Sequence, residues 1–122
     1  MSELSKSENQ VLYCFYDINQ PVTKQELLEK VPSLNKNTTA AVIRSLLDKG
    51  YLEVGEIRYS RTVLARAYRP SVPFVDFIKD EYGADVVDKL VKHAIDSLDD
   101  VQQINHLSDL VTKRIINLGT IE

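Results

Sequence analysis

The chain has 122 residues, 43% of them apolar and 27% charged, with a formal net charge of −3 and a single cysteine. This is the composition of a folded globular protein, and it excludes the disordered, disulfide-stapled and cysteine-rich metal-binding classes. The apolar runs are short, and Met1 to Lys6 contain neither a basic nor a hydrophobic signal region, so a cytoplasmic protein with no membrane partner is expected.

The net charge hides an asymmetry. Residues 1–72 hold 10 Lys and Arg against 8 Asp and Glu, whereas residues 73–122 hold 5 against 10. Between Asn35 and Arg69 the basic residues Lys36, Arg44, Lys49, Arg58, Arg61, Arg66 and Arg69 face only Asp48, Glu53 and Glu56. A local excess of this kind suits phosphate binding.

Ser5 with Glu8 forms a capping box ahead of Val11, Leu12, Phe15 and Tyr16, which predicts a first helix from about Ser5 to Asp17. Asn19, Gln20 and Pro21 break it. Thr23 with Glu26 repeats the box for a shorter second helix, which Pro32 ends. Ser33, Leu34 and Asn35 lead into a third helix, whose buried face is Val42, Ile43, Leu46 and Leu47 and whose stop signal is Gly50.

The period then changes. Tyr51–Tyr59 and Thr62–Arg69 alternate polar residues with Val, Ile, Leu, Thr and Tyr, and are expected to be antiparallel strands joined around Tyr59–Thr62. Beyond Pro70 and Pro73, three further helices are predicted over Phe74–Tyr82, Asp85–Leu98 and Asp99–Leu118. The last carries Val101, Ile104, Leu107, Val111 and Ile115 at spacings of three and four, a seam suited to a dimer interface. The expected fold is mainly α with a small β-hairpin: a winged helix-turn-helix over 1–72 and a helical dimerisation region over 73–122.

The third helix of such a unit is the one that enters the major groove. Its solvent face begins with Lys36, Asn37, Thr38 and Thr39 and continues through Ala41, Arg44 and Ser45. Asn and Thr hydrogen-bond base edges, Ala41 suits a thymine methyl, and Lys36 or Arg44 reaches phosphate or guanine. The helix N-terminus offers amides and a positive dipole end to a phosphate. Arg58 and Arg61 at the hairpin tip are the expected contacts to flanking phosphate or the minor groove. Arg66 and Arg69 on the return strand could add to that set, but read first as surface charges or as salt-bridge partners of the acidic C-terminal part. A solvated helix face is the plain alternative for the third helix, and a protein-interaction module is the alternative function.

Several of these residues carry a family resemblance. Leu4-Ser5 with Glu8, Val22-Thr23, Asn37-Thr38-Thr39 leading into Val42 to Leu52, and Ala67-Tyr68-Arg69-Pro70 resemble the penicillinase-repressor and CopY-type winged-helix repressors. The resemblance implies a homodimer on a palindromic DNA operator, with the C-terminal helices joining the protomers. It does not carry over the inducing signal. CopY-type members use a C-terminal cysteine cluster, and no cysteine follows Cys14; penicillinase repressors are cleaved at an Asn-Phe bond, and this chain contains no Asn-Phe pair.

The remaining features point to no further chemistry. Cys14 lies among Val11, Leu12 and Phe15 as a small buried thiol, and His93 and His106 have no partner at ligand spacing. The Asp85/Asp88 and Asp96/Asp99/Asp100 groups read as solvated helix caps. No nucleophile elbow, phosphate loop or zinc-protease motif is present, so neither enzyme activity nor a cofactor is expected.

Overall fold

The computed structural model describes residues 3–60 and 62–119, with the side chain of Ser60 left out. It forms two compact units, Met1–Glu81 and Tyr82–Glu122. The first contains α1 (Lys6–Ile18), β1 (Val22–Thr23), α2 (Lys24–Lys30), α3 (Lys36–Asp48), β2 (Leu52–Ser60), β3 (Val63–Pro70) and α4 (Phe74–Tyr82, whose last residue falls in the second unit). The second contains α5 (Ala84–Asp96) and α6 (Val101–Asn117).

Local chemistry sets the helix ends. Both capping boxes form: Ser5 Oγ accepts from the Glu8 amide while Glu8 reaches back to the Ser5 amide, and Thr23 and Glu26 do the same. Asn19, in a left-handed conformation with φ 58°, closes α1. At the end of α3 the Gly50 amide donates to Leu47 O at 3.1 Å and the Tyr51 amide to Leu46 O at 2.9 Å. That double closure needs Gly50 at φ 84°, where a side chain would be strained.

The sheet has three antiparallel strands in the order β1-β3-β2. Two-residue β1 was not expected from sequence; it pairs Val22 with Tyr68 and Thr23 with Ala67. A register shift between Val54 and Glu56 falls at Gly55, where an added Cβ would meet Pro21 and Arg69 at 3.1 Å.

The core gathers Val11, Leu12 and Phe15 of α1, Val22, Leu27 of α2, Ile43 and Leu46 of α3, and Leu52 of β2. Phe77 of α4 joins it at 2% exposure, edge-on to Tyr13 and Tyr51 and stacked on Tyr16. Tyr16 Oη donates to Val72 O at 2.9 Å just before α4, and burial raises its phenol to about 12. The first unit includes α4 as far as Glu81, with Phe77 packed against Tyr13 and Tyr16 of α1; the division expected from sequence lies at 72/73.

In the second unit no described residue of α5 or α6 is buried. Asp100 caps α6 by accepting from the Gln102 amide at 2.8 Å. Val101, Ile104, Leu107 and Val111 are all exposed, and Ile115 is half-buried.

Candidate nucleic-acid interface

Three features position α3. Asn35 Oδ1 accepts from the Asn37 and Thr38 amides at 2.9 and 3.0 Å, and Asn35 O accepts from the Thr39 amide at 2.9 Å. Val42, Ile43 and Leu46 bury one face. The exposed face then presents Lys36, Asn37, Thr38, Ala41 and Arg44, with Asp48 at its C-terminal end. The helix dipole remains available to an anion, but two first-turn amides, those of Asn37 and Thr38, are already donated to the Asn35 side chain, which limits the amide phosphate site expected there.

Two residues expected on this face lie elsewhere. Thr39 is 2% exposed, on the core side with Val42 and Leu46, so its side chain does not reach a groove. Ser45 sits on the flank toward α1 and donates its hydroxyl to Glu8 Oε2 at 2.5 Å.

The wing separates its arginines by strand alternation. Leu52 and Val54 pair with Pro70 and Tyr68, and Val22 also pairs with Tyr68, so these residues share the face that buries Leu52 and Val22. Alternation along β3 continues that face outward through Arg66, opposite Ile57, and Leu64, opposite Tyr59. Arg58, opposite Ala65, belongs to the other face.

Arg58 is consequently turned away from α3 and held. Its Nη1 donates to Glu56 at 2.5 Å, and its Nη2 donates to Pro21 O at 2.8 Å and to Glu26. Hydrogen bonds from the Thr23 backbone, then from Arg58, keep the Glu26 carboxyl below its ordinary range despite burial. Arg69 is bound to Glu53 at 2.8 Å. Arg61, expected at the tip, lies outside the described residues.

Arg66 differs. It is exposed, and no ion pair among the described residues includes it. With Arg44 of α3 and Lys24 of α2 it lines an open groove of about 960 Å³ between the helices and the wing. Lys24 is not among the contacts expected from sequence, and Arg66 reads there as a surface charge before it reads as a DNA contact. The usable signal for Arg66 was its two-residue offset from core-side Tyr68.

Among the described residues no helix is long and apolar enough to cross a membrane, and no three His, Cys, Asp or Glu residues are grouped to hold a metal ion. Cys14 is half-buried, and burial raises its thiol above the ordinary range.

Three helices, a three-stranded sheet and a basic groove beside an exposed third helix define a winged helix-turn-helix of the DNA-binding regulator class. The chain belongs to the penicillinase repressor family, whose model matches residues 4–113, and it is accordingly a DNA-binding transcriptional regulator. Among solved structures it is similar to a MarR family regulator from Neisseria meningitidis, with 20% identity over 98% of this chain and 80% of that one and a TM-score of 0.44. It is also similar to a transcriptional regulator of Thermoplasma acidophilum, with 12% identity over 80% of this chain and all of that one and a TM-score of 0.46. No curated protein matches the chain.

Proposed function

We infer that the protein is a homodimeric repressor of a palindromic operator. In this reading α3 lies in the major groove, with Asn37, Thr38, Ala41 and Arg44 toward base edges and Lys36 toward a phosphate. Arg66 and Lys24 hold the flanking backbone, replacing Arg58 in that role. Two copies join through the α6 seam of Val101, Ile104, Leu107, Val111 and Ile115, which places two recognition helices on half-sites related by the dimer axis.

The observation that carries this reading is the groove that Lys24, Arg44 and Arg66 line beside the exposed face of α3. Cations from three elements converge on one open groove, against the single carboxylate of Asp48 in its lining, and match a phosphate path better than scattered solubility charge. The exposure of Val101, Ile104, Leu107 and Val111 along α6 supports a second copy.

The test is selection of the full chain on a pool of random duplex DNA at two salt concentrations. An enriched inverted repeat supports the reading. Weak, salt-sensitive binding with no enriched sequence contradicts it and favours the protein-interaction alternative.

A further inference from the structure

A buried carboxylate joins the first helix to the third. Glu8 is 6% exposed, and both of its oxygens are engaged. Oε1 accepts from the Ser5 amide at 2.8 Å and from Lys49 Nζ at 3.0 Å, while Oε2 accepts from Ser45 Oγ at 2.5 Å. Lys49 Nζ also donates to Glu3 O at 3.1 Å.

Ser45 of α3 and Lys49, the residue that caps its C-terminus, are four apart, so they lie one above the other on a single flank of the helix. Asn37, Ala41 and Arg44 occupy the exposed face adjacent to that flank. Apolar packing of Val42, Ile43 and Leu46 buries area without fixing a rotation of α3 about its own axis to the accuracy that a base contact needs. Directional bonds from one carboxylate to two successive turns do fix it. The capping box in turn anchors that carboxylate, because the same Glu8 closes the N-terminus of α1.

We propose that Glu8 is a positioning residue for DNA recognition: by holding Ser45 and Lys49 it sets the rotation at which α3 presents Asn37, Ala41 and Arg44 to the bases. The inference rests on the DNA-reading role of α3 given above. It assigns to Glu8 and Ser45 an effect on sequence discrimination that a contact serving stability alone does not have.

Charge gives the test its sign. Removing an acidic group raises affinity for any DNA through the electrostatic contribution. A loss of affinity for one sequence only therefore reports geometry. The experiment compares the wild type with Glu8→Gln, Ser45→Ala and the double variant, by fluorescence anisotropy on the selected duplex and on a scrambled duplex at one salt concentration, with a thermal melt for each. Glu8→Gln keeps the side-chain shape, removes the charge that holds Lys49, and puts an NH2 where Oε2 accepts from Ser45, so that the bond survives only if the hydroxyl turns to accept.

The expected result is about a tenfold loss on the selected duplex, the size of a misplaced base contact, with unchanged or tighter binding to the scrambled one. The double variant is expected to be no worse than Glu8→Gln, since both changes release the same clamp. Equal losses on both duplexes, or no loss on either, overturn the proposal. If Glu8→Gln does not melt cooperatively, Ser45→Ala carries the test with a selective loss of about threefold, that of one hydrogen bond, and unchanged discrimination there overturns it. A wild type with no sequence preference would instead show that the reading of α3 itself had failed, and the positioning role with it.

Discussion

The guanidinium of Arg58 in the wing is hydrogen-bonded to the carboxylate of Glu26 at the start of the second helix, and its other contacts are Pro21 O and Glu56. This arginine ties the hairpin to the helical body on the face away from α3. Arg58→Ala should therefore lower unfolding stability by about 1 kcal/mol, the worth of a partly exposed ion pair with a backbone hydrogen bond, and leave DNA affinity nearly unchanged. Arg66→Ala should do the opposite: unchanged melting, weaker binding to all sequences, and a salt slope smaller by about 1. Melting curves and salt-dependent titrations of the two variants check this, and a loss of affinity in Arg58→Ala alone would reverse the assignment.

Base reading separates from backbone holding. Asn37→Ala or Arg44→Ala should cost about 1 to 3 kcal/mol on the selected operator and relax the preference at one base pair per half-site. Thr39→Val, in the core, should change discrimination little. Repeating the selection with each variant reads the altered position directly.

Stability should fall in acid through the clamp. Hydrogen bonds from Ser45, then from the Ser5 amide and Lys49, lower Glu8 from 4.5 to about 2 against the opposing effect of burial. The folded value lies below the unfolded one, so the contribution is complete above about pH 4.5 and is lost progressively as the pH falls toward 2. Glu26 is shifted in the same direction. Urea midpoints measured from pH 7 down to pH 3 should decline, and Glu8→Gln should flatten the decline.

Much of this architecture is legible in the sequence because short-range chemistry specifies it. Ser5/Glu8, Thr23/Glu26 and Asn35 mark three helix starts by side-chain caps that need no tertiary partner, and Gly50 marks a stop by its left-handed backbone. What was missed depends on long-range pairing. β1 has only two residues, follows a proline and doubles as a helix cap, so no alternation is visible before β3 pairs with it. Thr39 and Ser45 look like surface polar residues until α1 is placed against them, and Arg58 looks like a free wing cation until Glu26 and Pro21 are brought beside it. The exposed set of Lys36, Asn37, Thr38, Ala41 and Arg44 was legible from helical period alone.

The α4 docking makes a further stability prediction. Phe77 fills a site among Tyr13, Tyr16 and Tyr51, so Phe77→Ala should cost about 3 to 5 kcal/mol and unfold the first unit at a lower urea midpoint. An unchanged midpoint would show that α4 adds nothing to that core.

The seam of α6 makes another. Leu107→Asp or Val111→Asp places a charge on it, and sedimentation should then report a monomer with unaltered far-ultraviolet circular dichroism. A sedimentation coefficient equal to that of the wild type would show that the seam is not what joins two copies.

The central claim is that two copies each set one α3 into one half of an inverted repeat. The measurement is a titration of the selected duplex against one in which a single half-site has been scrambled, with the protein-to-DNA stoichiometry determined by analytical ultracentrifugation. The account predicts two chains on the intact site and an affinity loss of roughly a hundredfold or more when one half is removed, as loss of several base contacts requires. One chain per duplex, with equal affinity for both DNAs, would contradict it.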